Sequence, residues 1–294
     1  STYLISSDII IPEGNTVYLQ PGTNFEFDGE YKFEIFGTLE AIGTESDSIV
    51  FDNFGEEKWQ GITFNNVNNE TILEYVRISG AEGNESDQGG GMVLINSDPI
   101  FNHVNIRDNS CQCNRGGGVY MLNSDPIFTN SDIIGNSLYG YFGGGGLWIE
   151  GSNPTFTNVN INNNFSSFEG GGLFITTSNP IFTNVNINNN VSERWSGGGM
   201  YIINSNPIFN RAVISGNTCI EGTGGAMSLP GSNPIFNHTT ITNNTSDWGD
   251  AVYGDAVIRN SIIWHNIPNS FSGTQVIYSN IEGGSNGEGN INLD

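Results

Sequence analysis

Two aspartates are the first candidates for chemistry in this 294-residue chain. Two carboxylates within several Å of each other can act as general acid and base in the hydrolysis of a glycosidic bond. Asp98 and Asp125 occupy equivalent positions in successive sequence repeats, so we expect their side chains to be neighbours. Each lies in a Ser-Asp-Pro turn where later repeats carry Asn, and Asp and Asn are interchangeable turn residues. The pattern therefore favours a turn role, with a weak Ca²⁺ site as the alternative.

The histidines do not form a nucleophilic site. His103 and His238 share one column of the repeat but lie five repeats apart, and His265 stands alone. No Ser/His/Asp or Cys/His constellation emerges from the sequence.

The three cysteines are interpreted as incidental to function. A bridge between Cys111 and Cys113 is feasible but strained, whereas Cys219 lies four repeats further on, roughly 19 Å away at about 4.8 Å per repeat. That separation is too large for a disulfide bond. No metal-ligand spacing with histidine accompanies the cysteines.

The elements that would position any site are set by a repeat of about 27 residues between Gly89 and Thr245. A fixed period of this length indicates a solenoid, because each unit can bury its apolar face only against the next unit. Aligned prolines mark the six repeats: Pro99, Pro126, Pro154, Pro180, Pro207 and Pro234. Phenylalanines two residues after each proline, and isoleucines seven residues after, are predicted to stack in the core. Asparagines ten residues after each proline are predicted to form a hydrogen-bonded ladder at a bend, where Asn also tolerates a left-handed backbone.

Together these columns predict an all-β protein, a triangular parallel β-helix of about ten coils with three short strands each. We expect a single domain over residues 1–294. Residues 1–64 are predicted to form irregular N-terminal coils, residues 65–245 the regular coils, and residues 246–294 the closing coils and a tail.

A column of aromatic residues is the strongest functional signal. The middle position of the strand after each Gly run should face solvent, and four successive coils place a ring there, about 4.8 Å apart. This column comprises Tyr120, Trp148, Phe174 and Tyr201, with Tyr253 by a looser alignment. The loops before the Gly runs add Tyr139, Tyr141, Phe142, Phe168, Trp195 and Trp248. Such a strip suits the apolar faces of pyranose sugars; the alternatives are loops that fold back so that the rings pack on each other, or a protein interface.

The charge restricts the partners. The formal net charge is −23, from 31 acidic and 8 basic residues. This excludes nucleic acid as a natural partner and disfavours anionic membranes, because few cations are available to neutralise phosphates. The composition fits a secreted protein kept soluble by self-repulsion, with Ca²⁺ binding as an open alternative. The sequence has no transmembrane run or signal peptide, and we expect it to be part of a longer multidomain protein.

The repeat SNPIFTNVNINNN after a GGG run resembles the right-handed parallel β-helix repeats of secreted and surface-anchored bacterial proteins, in the broad pectate-lyase-like superfamily. The opening PGTNFEF and the closing NSIIWHN are similar to the ends of such domains. The resemblance implies a right-handed coil but little about function, since the superfamily includes lyases, hydrolases, epimerases, adhesins and non-catalytic carbohydrate-binding modules. A lyase of this kind would need an Arg or Lys base beside carboxylates that hold Ca²⁺. Arg77 and Arg107, with Asp108 adjacent, come closest to this, although a surface salt pair explains them better.

The hypothesis is therefore a non-catalytic, extracellular polysaccharide-binding module, secreted or displayed on a bacterial surface. A neutral plant or algal β-glycan is favoured as ligand, since a protein of this charge repels a polyanion. No cofactor is required, and Ca²⁺ is an optional one. The alternatives are a lyase or hydrolase, and a structural stalk or adhesin without a sugar ligand.

Overall fold

The computed structural model describes residues 1–84, 88–268 and 271–293 of the chain. In these ranges the chain forms only strands, turns and bends, and every strand pairing is parallel. No helix that could span a lipid bilayer occurs among the described residues. The chain coils into a solenoid with three sheets, which confirms the predicted all-β fold.

The front sheet follows the Gly runs and has eleven strands over the described residues. Its strands are Ile9–Ile11, Phe33–Ile35, Ile62–Asn65, Met92–Ile95, Val119–Leu122, Leu147–Glu150, Leu173–Thr176, Met200–Ile203, Met227–Leu229, Val252–Gly254 and Phe271–Ser272. The first and third residues of each regular strand face the core, and the middle residue faces outward, as period-two alternation requires. The irregular N-terminal coils join the same sheet, since Phe33 pairs with Ile62 and Ile62 pairs with Met92.

The back sheet receives two strands from each regular turn, one with the core Phe and one with the core Ile. Its strands are Thr2–Ile5, Thr16–Leu19, Asn24–Phe27, Thr38–Ile42, Ile49–Asn53, Ile72–Ser79, Ile100–Arg107, Ile127–Thr129, Asp132–Ile134, Thr155–Thr157, Asn160–Asn162, Ile181–Thr183, Asn186–Asn188, Ile208–Asn210, Val213–Ser215, Ile235–Asn237, Thr240–Thr242, Val257–Arg259, Ile262–Trp264, Gln275–Ile277 and Asn280–Ile281. A residue with positive φ divides the two strands, such as Asn130 (φ 49°) or Asn158 (φ 56°). His103 and His238 occupy this position, with φ of 53° and 54°, so their shared column is a backbone feature.

The side sheet is the third face, and the sequence analysis did not predict it. Its strands are Glu82–Gly83, Ser110–Cys111, Ser137–Leu138, Phe165–Ser166, Val191–Ser196, Thr218–Thr223 and Thr245–Ser246. The predicted triangular coil is therefore correct. The structure adds that the Phe and Ile strands share one face, and that short strands of mixed composition build the third. Most of these strands have two residues, too few for alternation to be visible in the sequence.

The Phe and Ile columns stack in the core as predicted. Neighbouring rings lie 4.5–5.2 Å apart between centroids, from Phe101–Phe128 to Phe209–Phe236. All six rings are fully buried, as are the isoleucines of the second column. Like-on-like stacking buries a continuous apolar column, and each aromatic pair adds about 0.5–1.5 kcal/mol beyond area burial.

The asparagine ladder is also present. Each side-chain amide donates to the Oδ1 of the next coil, for example Asn164 to Asn190 at 3.0 Å and Asn190 to Asn217 at 3.0 Å. The same Nδ2 donates to a core carbonyl of the previous coil, as Asn190 does to Ile161 at 2.8 Å. The left-handed residue is the one before each ladder Asn, such as Asn163 (φ 57°), so the expectation that the ladder residues themselves adopt this conformation is wrong.

The turn aspartates belong to a second ladder. Asp98 Oδ1 accepts the backbone N–H of Asp125, and Asp125 Oδ1 accepts that of Asn153. Asn153 continues the series to Asn179 at 2.9 Å. The carboxylates therefore replace Asn in a repeated backbone contact, which agrees with the turn interpretation.

Cys111 and Cys113 form a disulfide bond and lie buried beside Leu138. Cys219 is buried and unpaired, as its distance along the coils predicted. Burial raises the pKa of the Cys219 thiol.

Candidate ligand-binding surface

The aromatic column of the front sheet faces away from the core but is not exposed. Tyr120, Trp148 and Phe174 are only 4%, 4% and 7% exposed and form a cluster separate from the core. The Trp148 and Phe174 rings stack at 3.9 Å with an interplanar angle of 3°. Tyr201 is half-buried next to Phe174 at 5.0 Å. The expectation that Tyr120, Trp148 and Phe174 face solvent is therefore wrong.

Arg115 and Phe142, from the loops before two Gly runs, cover the first half of this column. The Arg115 guanidinium lies 5.1 Å from the Trp148 ring centroid and 5.9 Å from that of Tyr120. Its Nη1 pairs with Glu150 Oε2 at 3.2 Å, and the Phe142 ring meets Trp148 edge-on at 6.2 Å. A cation over an indole face and an aromatic edge contact are both favourable ways to cover this surface.

Glu150 satisfies the polar atoms of the covered rings. Its Oε2 accepts hydrogen bonds from Trp148 Nε1 at 3.1 Å and from the Tyr120 hydroxyl at 3.3 Å. Burial and the nearby Glu150 charge together raise the pKa of Tyr120. Every polar group of this cluster has a partner, so the column behaves as a small second core and not as an open platform.

The second half of the column lies under the loop that carries Glu169. That residue is 7% exposed, and its Oε2 has no hydrogen-bond partner among the described residues. Burial raises the pKa of the Glu169 carboxyl. Burial, and after it the charge of Glu169, raise the pKa of Tyr201. The loop with Glu169 packs closely against Gly143 because that residue has no side chain. A Cβ at position 143 would clash with the Glu169 carbonyl oxygen and with the Phe174 ring, which would lie 2.8 Å away.

The aromatic residues of the loops, in contrast, are exposed. We call Tyr141, Phe168, Trp195 and Trp248 the aromatic loop edge. Tyr141, Trp195 and Trp248 are 76%, 61% and 66% exposed, and Phe168 is half-buried between two of them. Ring centroids are 5.8 Å apart for Tyr141–Phe168 and 5.4 Å apart for Phe168–Trp195. Three successive coils therefore present touching rings to solvent.

Gly222 interrupts the aromatic loop edge between Trp195 and Trp248. It pairs with Trp195 in the side sheet, and a Cβ at position 222 would collide with the Trp195 carbonyl oxygen. Trp195 has φ of 68°, a conformation that bulky residues rarely adopt. Trp195 is therefore held outward, while the Gly222 backbone beneath it is buried.

The remaining predicted residues lie at the margins. Tyr139 is 53% exposed and packs on Phe165 of the side sheet at 5.8 Å. Tyr253 is 46% exposed on the front sheet, beyond Ser228, which interrupts the column.

The arginines considered for a lyase are both paired. Arg77 Nη2 contacts Asp52 Oδ2 at 3.0 Å, and Arg107 Nε contacts Asp108 Oδ2 at 2.7 Å. The salt-pair interpretation is correct for Arg107. No group of three or more His, Cys, Asp or Glu side chains within the described ranges is arranged to hold a metal ion.

Comparison with known proteins agrees with the coil geometry. The family model described as the right-handed beta helix region matches residues 41–207, more than half of the chain. The chain belongs to the right-handed β-helix family. No curated protein sequence matches this β-helix.

Two solved structures are similar to this β-helix. The crystal structure of pectate lyase Pel9A aligns with a TM-score of 0.44 and 14% identity, covering 89% of this chain and 72% of the lyase chain. The receptor-binding protein of bacteriophage Det7, a tailspike, aligns with a TM-score of 0.30 and 11% identity, covering 100% of this chain and 72% of the other. Neither similarity is high enough to transfer a function.

Proposed function

We propose that this β-helix is a non-catalytic polysaccharide-binding domain whose ligand lies along the aromatic loop edge. The observation that supports this most directly is that the exposed rings of Tyr141 and Trp195 and the half-buried ring of Phe168 touch one another on successive coils. Large exposed aromatic groups are costly in solution and usually mark a binding surface. Coils advance by about 4.8 Å, close to the advance per residue of an extended β-linked glycan.

The ligand chemistry follows from the surroundings of the rings. Aromatic faces pack on the C–H faces of pyranoses, while neighbouring Asn and Tyr side chains can exchange hydrogen bonds with hydroxyls. A net charge of −23 disfavours a polyanion along the whole surface, so a largely neutral plant or algal β-glycan is the preferred ligand. We place the domain outside a bacterial cell, secreted or on its surface and within a larger protein, where such glycans are accessible. Ca²⁺ is not required by this arrangement.

The enzymatic alternative has less support. The Asp98 and Asp125 carboxylates accept backbone N–H groups, and Arg77 and Arg107 are paired with aspartates. A general base needs a lone pair available to the substrate, which these contacts reduce.

The test is a binding screen by affinity electrophoresis against soluble neutral β-glycans, followed by calorimetry on the best ligand. Trp195→Ala is expected to weaken binding by about tenfold or more, as expected for a central aromatic contact. Tyr18→Ala removes another exposed ring (64% exposed) on the back sheet and is expected to leave binding unchanged. Equal binding by Trp195→Ala and wild-type protein would rule out the aromatic loop edge. Release of reducing or unsaturated sugar ends by the wild-type protein would favour the enzyme.

A further inference from the structure

The few basic residues of this chain are unevenly placed. The whole sequence has 8 lysines and arginines. Three of them, Lys58, Arg77 and Arg107, line a single open depression of about 460 Å³ at the corner between the back and side sheets. Two carboxylates, Asp52 and Asp108, share this lining, so its formal charge is positive on a strongly negative protein.

The arginines retain donors for a ligand. Arg107 donates to Asp108 through Nε, and no other hydrogen bond joins its guanidinium to a described residue. Arg77 uses Nη2 on Asp52. Their side chains are 47% and 44% exposed, and a guanidinium has five N–H donors. Lys58 is exposed and makes no ion pair with any residue that the structure describes.

Ser79 also belongs to the lining of this depression. Ser79 is 6% exposed, and its Oγ is buried without a hydrogen-bond partner in the described part of the chain. Its carbonyl is engaged by Trp59 Nε1 at 2.8 Å, which anchors the residue. Buried polar atoms without a partner are rare because they cost free energy. The Ser79 hydroxyl lies beneath the surface of the depression, so the donors available to a ligand are those of the three basic side chains. The neighbouring Gly80 (φ +68°) is buried, and the Asn53 side chain fills the space beside its Cα.

The depression continues toward the aromatic loop edge. Lys58 also lines a second depression of about 180 Å³, together with Gln112. Gln112 in turn lines a third depression of about 410 Å³, together with Tyr139 and Tyr141. Tyr141 is the first residue of the aromatic loop edge. Three neighbouring depressions therefore lie between the arginines and the proposed glycan surface; the middle one is also lined by Glu30 and Glu82.

We propose that the depression lined by Lys58, Arg77, Arg107 and Ser79 binds the oxyanion of an acidic sugar, a carboxylate or a sulfate ester, carried by the glycan on the aromatic loop edge. Arginine forks match such oxyanions geometrically, and charge-assisted hydrogen bonds are the strong ones. The site is confined to one corner of a negative surface, so it fits an acidic substituent at a branch or chain end and not a continuous polyanion. The part of this inference that concerns the glycan chain rests on the proposed function, whereas the binding of an oxyanion in the depression does not.

The test compares matched oligosaccharides by calorimetry at low salt: a xylo-oligosaccharide with one glucuronic acid branch, a galactan oligosaccharide with one sulfate ester, and the neutral parent of each. At least one acidic ligand should bind about tenfold tighter than its parent, the gain expected of a charge-assisted hydrogen bond. Arg107→Gln should remove this gain without affecting the neutral parent. Arg259→Gln, the same charge change at an exposed back-sheet position, should keep it.

Each outcome is decisive. A preference for the carboxylate or for the sulfate supports the site and identifies the group. Equal affinity for acidic and neutral ligands overturns it, as does an equal loss in Arg107→Gln and Arg259→Gln, which would indicate only the long-range field. If no oligosaccharide binds, the proposed function fails separately, and NMR titration with methyl glucuronide and glucose 6-sulfate tests the oxyanion site alone. Saturable shifts that disappear in Arg107→Gln support it, and their absence in the wild-type protein overturns it.

Discussion

Removing the Trp148 indole should destabilise the protein strongly without removing its glycan surface. Trp148 is 4% exposed and stacks on Phe174 at 3.9 Å, under the Arg115 guanidinium at 5.1 Å. Its Nε1 donates to Glu150 at 3.1 Å. Replacing a buried Trp by Ala typically costs about 3–5 kcal/mol, from lost burial and the cavity that remains. We expect Trp148→Ala to fall in this range because the cluster has packed neighbours on both sides along the solenoid axis.

The assay is equilibrium unfolding in guanidinium chloride, followed by near-UV circular dichroism and by intrinsic fluorescence. Solenoids are approximately one-dimensional, so coils near Trp148 should also exchange their front-strand amide hydrogens faster. Trp195→Ala is the matched control: the same substitution at a 61% exposed residue should change the free energy of unfolding by no more than about 0.5 kcal/mol.

The two variants should separate stability from binding. Under conditions in which the variant is folded, Trp148→Ala should keep most of the glycan affinity. Trp195→Ala should weaken glycan binding by about tenfold or more. A cost below about 1 kcal/mol for Trp148→Ala would refute the covered column, since it would be close to the maximum of about 0.5 kcal/mol expected for an exposed ring. Such a result would mean that the Trp148 side chain faces solvent, as the alternation of the strand alone predicts.

Two further predictions concern buried polar groups. Asn190→Ala should lower the free energy of unfolding by about 3 kcal/mol, since it leaves partners on both adjacent coils unsatisfied; Asn233→Ala, an exposed turn residue, is the control in the same denaturant titration. Burial raises the pKa of the Glu169 carboxyl above its ordinary value of 4.5, so the folded state binds the carboxyl proton more tightly than the unfolded state does. The free energy of unfolding should therefore fall as the pH rises from about 4.5 through the raised pKa. Glu169→Gln should remove that loss, its advantage over wild-type protein growing with pH from about 4.5 toward neutrality, whereas an advantage independent of pH, or one equalled by exposed Glu221→Gln, would contradict the assignment.

Much of the fold could be predicted from the sequence because its columns repeat. Each Phe, Ile and Asn of the repeat contacts its own equivalent one coil away, so a one-dimensional pattern contains the contact. The side sheet was missed, since two-residue strands such as Ser137–Leu138 carry no alternation. The sequence predicted three strands per coil but not that the Phe and Ile strands share one sheet, because nothing in the sequence shows that a residue such as Asn130 bends the chain within a sheet.

The candidate site was only partly predictable. The alternation rule correctly placed Trp148 on the outer surface of its sheet, but exposure depends on what covers that surface. Arg115 and Phe142 come from loops whose lengths vary between repeats, and the path of such a loop is set by contacts that the repeat does not encode. The sequence had already singled out Arg77 and Arg107 with Asp108 beside them. The structure adds Lys58, which comes from the irregular N-terminal coils, where no repeated column places it.

The sequence by itself therefore determined the solenoid, its core columns and its ladders, since these depend on one residue type recurring at one spacing. It also determined which aromatic side chains point away from the core. Only the tertiary structure decided which of those rings reach solvent, because a loop before a Gly run can cover the strand after it. That distinction moves the proposed binding surface from Trp148, which is packed beneath Arg115, to Trp195, which is held outward beside Gly222.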